Sequence, residues 1–370
     1  MRFFDKEVLD GQNTLFYEAP RPFTKYTEIQ RLRYCVGAAL YMPATREMIA
    51  QEIITRKHPS LTTIVIDLED ALGDLQVEGG IDQLNKTIDT LSTALHEGTL
   101  LIEHLPLLFV RVRDVMQLQQ IIHMLGERQH VLTGYVLPKF SQDNGRAFLE
   151  LIEQQNKSGY KLYAMPILES PHFLLKEQRM DNLLAIRAIL VEFEQYILNI
   201  RIGTTDFCGL LGVRRTISST IYDIHPVRSC IEDILNIFLR DDSPYIISGS
   251  VWEYFSQQDD GTSSAFLGLL REIEMDRLNG LIGKTIIHPS HIEPVNAMYT
   301  VTHEEFIDAK RILQLSDGQL GVQKSEYGNK MNEMKPHFNW AKRILLRAEA
   351  FGVLQPNVQY MDLLQRKVLK

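Results

Sequence analysis

Eight short apolar, β-branched runs, separated by longer amphipathic stretches, constrain this chain more than any other feature. The runs are Tyr34–Tyr41, Thr62–Asp67, Leu107–Val112, Gly134–Leu137, Leu162–Leu168, Ile200–Thr205, Tyr245–Ser248 and Thr285–Ile287. Their length and residue types read as strands buried on both faces, and the stretches between them carry helical periodicity. In Asp181–Tyr196, for example, Leu184, Ile186, Ile189, Leu190 and Phe193 are expected largely on one face. Strands that alternate with helices pair in parallel through right-handed crossovers. Eight such units are the number that closes a (β/α)8 barrel. An open doubly wound sheet is the competing arrangement, but no G-x-G-x-x-G follows the first strand.

A barrel of this kind accommodates a chain of 370 residues without dividing it into two ordinary domains. We place the barrel in residues 1–300 and a helical C-terminal extension in 301–370. In the extension, Glu304–Leu315 and Pro336–Phe351 read as helices joined by the polar stretch Ser316–Asn329. The extension is a candidate for packing on a neighbouring subunit. A net charge of −8 gives nucleic acid no basic surface to bind. The most apolar helical stretch, Leu183–Leu198, is interrupted by Arg187, Glu192 and Glu194, which argues against a membrane span. Charges at Arg2, Asp5 and Lys6 do not suit a signal peptide. Cys35, Cys208 and Cys230 form no spaced pair and suit a reducing compartment, so a cytoplasmic location is expected.

Active sites of such barrels gather where the strands end. The second strand ends Asp67-Leu68-Glu69-Asp70, the third Arg111-Val112-Arg113-Asp114 and the fourth Leu137-Pro138-Lys139. The fifth ends Leu168-Glu169-Ser170, the sixth Gly203-Thr204-Thr205-Asp206 and the eighth Ile287-His288-Pro289. Each has a structural alternative. Asp67, Glu69 and Asp70 suit the start of a following helix, and Lys139 suits a salt bridge to those acids. Arg111 and Arg113 share a strand face, and the deeper Arg111 needs a carboxylate partner or ligand. Ser290 and Glu293 fit a capping box after His288. Gly209, Gly212, Arg214 and Arg215 offer backbone and charge to a phosphate-bearing tail. Glu169 and Asp206 close adjacent strands, and two carboxylates with waters and substrate oxygens suit Mg2+.

Taken in order, these strand ends resemble the citrate lyase beta subunit and malyl-CoA lyase-like members of one aldolase superfamily. The resemblance spans about residues 33–350. It is carried by Ala38-Ala39-Leu40-Tyr41-Met42-Pro43-Ala44, Ile66-Asp67-Leu68-Glu69-Asp70-Ala71, Val110-Arg111-Val112, Leu137-Pro138-Lys139, Leu168-Glu169-Ser170, Gly203-Thr204-Thr205-Asp206 and Ile287-His288-Pro289-Ser290. It implies a Mg2+-dependent carbon–carbon lyase acting with a 2-keto acid on a 3-hydroxyacyl thioester or related hydroxy acid. Glu169 and Asp206 are then metal ligands. Arg111, Asp67, Glu69 and Lys139 are catalytic, and Arg111, Asp70 and His288 contact substrate. The implied partners are a small carboxylate or keto acid, CoA or an acyl-carrier thioester, and further copies of the chain in a trimer or hexamer. The pattern is most similar to a divergent branch found with bacterial tellurite-resistance and stress-response genes. Two departures stand out. Ser170-Pro171-His172-Phe173 follows Glu169 where the family has a small residue and Gly. Glu333 stands where the family delivers an Asp to the next subunit's site. Competing readings are a non-catalytic metabolite-binding or assembly protein, a thioester hydrolase, and a Schiff-base aldolase using Lys139.

Overall fold

A computed structural model describes residues 1–9, 15–241, 243–256, 261–315 and 321–365. Its centre is an eight-stranded parallel sheet. In chain order the strands are β1 (Ala38–Pro43), β2 (Thr63–Asp67), β3 (Leu107–Arg111), β4 (Gly134–Leu137), β5 (Tyr163–Leu168), β6 (Ile200–Ile202), β7 (Ile247–Ser248) and β8 (Lys284–Ile286). Consecutive strands are neighbours throughout, and β8 also pairs with β1. The remaining gap is closed beside β7, where Gly249 bridges to Lys284 and the Thr285 N–H donates to the Gly249 carbonyl at 3.1 Å. The expected (β/α)8 barrel is thus the observed fold, with helices between the strands.

Register determines what faces the barrel interior, because paired residues on parallel strands point the same way. Tyr41 pairs with Val65, Asp67 with Arg111, Arg111 with Val136, Val136 with Met165, Ile167 with Arg201, and Arg201 with Ser248. Tyr41, Asp67, Arg111, Ile167 and Arg201 all line one cavity, so this is the inner face. The outer face carries its own polar cluster. Lys284 Nζ lies 2.9 Å from Glu272 Oε1 and 2.7 Å from Asp276 Oδ2, and all three side chains are essentially inaccessible. Glu272 also accepts from Arg215 at 2.6 Å, and Tyr222 donates to Asp276 at 2.7 Å.

Several element boundaries differ from those read in the sequence. The first strand begins only at Ala38, because Arg33–Val36 forms a 3-10 turn that ends at Gly37. Gly37 has φ +54°, and a Cβ there would lie 2.8 Å from both Asn296 Oδ1 and the Phe3 ring, so only glycine lets the chain enter the barrel here. β6 stops at Ile202, and Thr204–Leu211 is already helical. Asp206 therefore sits in the first turn of that helix, where its charge is favourable. Of the expected apolar stripe on Lys176–Glu192, Leu184 is exposed, and the buried side is Leu183, Ile186 and Leu190.

In the extension, helices His303–Gln314 and Phe338–Phe351 build a separate apolar cluster around Phe306, Ile312, Met334 and Ile344. Between them, Val322–Lys324 pairs antiparallel with Met331–Glu333, a hairpin absent from the sequence reading, and residues 316–320 of that stretch lie outside those described. The helix Phe338–Phe351 packs on Ile29–Val36, at the end of the barrel where the strands begin, and Phe351 stacks on Phe3. No described helix is long and apolar enough to cross a membrane.

Candidate active site at the barrel mouth

The carboxyl ends of the strands surround a cavity of about 860 Å3. Its lining joins Asp67, Asp70, Arg111, Lys139, Glu169 and Asp206 with Tyr41, Ser170, Arg201 and Thr285.

Arg111 is the hub of the acidic side. Its Nε and Nη2 bind the two oxygens of Asp67 at 2.6 and 2.5 Å, and Nη1 lies 2.8 Å from Glu69 and 3.3 Å from Asp70. Such a fork is the geometry that guanidinium and carboxylate share. The acid contacts hold Arg111 firmly charged despite its burial. Asp67 also accepts the backbone N–H groups of Glu69 (3.0 Å) and Ala71 (3.3 Å), which ties the loop to the strand end. Arg113 does not reach the cavity. It binds the carbonyls of Leu68 and Leu72 and the carboxylate of Asp74, bracing the same loop from behind.

Lys139 occupies φ +46°, an uncommon conformation for a residue with a Cβ. Its backbone N–H donates to Glu169 Oε1 at 2.8 Å, while its ammonium binds Glu69. Although burial acts the other way, the Glu69 hydrogen bond raises the Lys139 pKa. Burial is also the main cause of the raised pKa of Glu69.

Glu169 and Asp206 differ from these paired groups. Among the described residues neither has an ion-pair partner, although five carboxylates and three cationic side chains meet at this end of the barrel. Burial, then the neighbouring Asp206, pushes the Glu169 carboxyl up to about 8. Burial also raises Asp206. A buried carboxylate and a half-buried one side by side resist joint ionisation unless a cation joins them. Among the described residues, the adjacent Ser170 Oγ is buried without a hydrogen-bond partner. Hard oxygen donors without an ion-pair partner among the described residues fit Mg2+, which keeps waters and substrate oxygens in its remaining positions. No group of three or more His, Cys, Asp or Glu side chains placed to hold a metal occurs among the described residues, so protein would supply only part of the coordination.

Gly203 makes room for this pair. A Cβ there would lie 2.2 Å from Glu169 Oε2 and 2.5 Å from Glu169 Cβ. Gly203→Ala is expected to cost about 1–3 kcal/mol through overpacking, read as a lowered thermal unfolding temperature. An unchanged temperature would show that Glu169 can move aside.

The segment Ser170–Phe173 builds a short helix, Pro171–Leu174, over the end of β5. Arg179 pins it through the Phe173 and Leu174 carbonyls at 2.5 and 2.7 Å. His288 is not among the cavity-lining residues: its ring stacks on Phe255 and its Nδ1 meets Ser290 Oγ at 2.8 Å. The expected Ser290–Glu293 capping box does not form, since the following helix starts at Ile292 and the His288 side chain caps the 3-10 turn before it. Arg215 is buried against Glu272 and Arg214 lies beside Glu253, so both already face carboxylates. Glu333 lies in the extension hairpin, outside the cavity lining. Sequence reasoning missed Tyr41, Arg201 and Thr285. The available signal was an arginine inside Ile200-Arg201-Ile202, because both faces of a barrel strand are buried.

The family described as C-C Bond Lyase of the TIM-Barrel fold matches residues 30–353. No curated protein sequence matches. Among solved structures, the chain is similar to the CitE protein of Mycobacterium tuberculosis in complex with magnesium, acetoacetate and coenzyme A. That likeness has 19% identity, covers 85% of this chain and 99% of that one, and has a TM-score of 0.55. RipC from Yersinia pestis is also 19% identical, with 74% of this chain and 99% of that one covered and a TM-score of 0.49. At these identities the likeness concerns the fold.

Proposed function

The chain belongs to the family of carbon–carbon bond lyases of the TIM-barrel fold, and from that premise we propose a Mg2+-dependent lyase that makes or breaks the bond between a 2-keto acid and an acyl group. The observation that carries this reading is the pair Glu169, buried, and Asp206, half-buried, at the mouth, which have no ion-pair partner among the described residues. Glu169 and Asp206 would hold the ion. When bound, Mg2+ supplies Lewis acidity toward negative charge developing on a substrate oxygen.

The chain's own residues supply the rest. Arg111 receives a substrate carboxylate. Asp70 is its longest contact and is more than half exposed, so it is the partner such a group can displace. Asp67 keeps the guanidinium oriented during that exchange. Lys139, held protonated by Glu69, is positioned to donate a proton at the mouth through Nζ. The same contact disfavours Schiff-base chemistry, which needs a neutral amine. Ile167 and Ile202 add buried apolar lining to the cavity.

The structurally similar CitE protein holds acetoacetate and coenzyme A with magnesium, which supports a thioester as the acyl partner. A trimeric or hexameric assembly, a cytoplasmic location and the setting of bacterial tellurite-resistance and stress-response genes complete the proposal, on the sequence resemblance alone.

Calorimetric titration of Mg2+ into EDTA-stripped protein, with oxaloacetate or glyoxylate present, tests the reading. Metal-dependent keto-acid binding is expected in the wild type and should vanish in Glu169→Ala and Asp206→Ala. Unchanged binding in both variants overturns the metal assignment. With a CoA thioester present, release of free thiol with an intact carbon skeleton would mean hydrolysis instead.

A further inference from the structure

Arg201 is a deeply buried charge in the barrel interior. It sits in the middle of β6 with 1% of its surface accessible, and its register with Ile167 and Ser248 turns it inward. Burying an arginine ordinarily requires an acid, because removing a full charge from water is costly unless it is paired. Among the described residues, no carboxylate lies within ion-pair distance of Arg201. Its protein partners are neutral: Thr285 Oγ1, which accepts from Nε at 3.2 Å and Nη2 at 2.6 Å, and Asn199 Oδ1, which accepts from Nη1 at 3.3 Å. A guanidinium has five N–H groups, so one on each terminal nitrogen remains unused.

Arg111 presents the opposite case, since acids occupy its Nε and both terminal nitrogens. The two guanidinium carbons lie 5.3 Å (Arg111) and 5.7 Å (Arg201) from the centroid of the Tyr41 ring. Both arginines, Tyr41 and Thr285 line the same cavity as Glu169 and Asp206. Along β6, Arg201 stands two residues before Gly203, against which Glu169 packs. At the usual strand rise that is roughly 6.6 Å along the chain direction, on the floor side of the acid pair.

The structure assigns to Arg201, with Thr285 and Tyr41, a second anion subsite on the cavity floor that takes a carboxylate of the ligand other than the one held at the mouth. It rests on the keto-acid reading above and narrows it: the preferred ligand carries two carboxylates on a short chain and spans one interior layer of the barrel. Arg201 is thus a specificity-determining residue. Its unused donors are satisfied by ligand, and its charge is balanced only when the floor is occupied.

The test compares oxaloacetate with pyruvate, keto acids that differ by one carboxylate, by calorimetry in saturating Mg2+. Wild-type protein is expected to bind oxaloacetate about ten- to hundred-fold more tightly, the range for hydrogen bonds to a charged group. Arg201→Met should remove that preference, weakening oxaloacetate binding far more than pyruvate binding. Arg201→Lys, which keeps the charge but loses the fork, should retain a reduced preference and guards against a folding failure in the first variant. Thermal unfolding gives an independent readout: oxaloacetate should raise the wild-type transition more than pyruvate does, and should lose that advantage in Arg201→Met. Equal binding of the two acids by wild type, or a preference that survives in Arg201→Met, overturns the subsite while leaving the keto-acid reading intact. Binding of neither acid by wild type defeats both.

Discussion

Arg111→Ala is expected to cost about 3–5 kcal/mol of stability, because it leaves the buried Asp67 carboxylate without its counter-charge and Glu69 with Lys139 alone. The loss should appear as a shifted urea unfolding midpoint, together with loss of keto-acid binding. The double variant Asp67→Asn, Arg111→Met separates the two effects. Removing both partners should restore part of the stability lost by the single change, since coupled residues are not additive. Ligand binding should remain abolished. If the single and double variants are equally unstable, the arginine contributes through packing and not through its charge.

The second large effect lies outside the cavity. Lys284→Met removes the cation that Glu272 and Asp276 share on the outer face of β8. Asp276 then keeps Tyr222 as its neutral partner, and Glu272 keeps Arg215. An uncompensated buried carboxylate of this kind costs about 3–5 kcal/mol. Lowered expression and a lowered unfolding temperature are the expected signs. If Lys284→Met unfolds like wild type, Arg215 and Tyr222 suffice to hold the two acids.

Much of the barrel was legible because a strand covered on both faces must be apolar for its whole length, and such runs alternate with helical periods. The mouth was legible for a related reason. Asp67, Arg111, Lys139 and Glu169 interrupt or end apolar runs, and the geometry of a closed barrel brings strand ends together. Boundaries were less legible. Tyr34–Val36 is as apolar and β-favouring as the strand it precedes, but the turn at Gly37 is imposed by Phe3 and Asn296, which are remote in sequence. His288 reads as one more polar strand end, yet Phe255 offers its ring a stacking partner.

The sequence by itself determined the eight-unit parallel barrel, the identity of most mouth residues and the carboxylate pair. These follow from local composition and from the alternation of wholly apolar runs with helical periods. Only the tertiary structure decided which charges are already spent. Arg111 and Lys139 are met by acids, whereas among the described residues Glu169, Asp206 and Arg201 have no ion-pair partner. Pairing depends on distances between residues tens of positions apart, which closure of the barrel sets and no local pattern encodes.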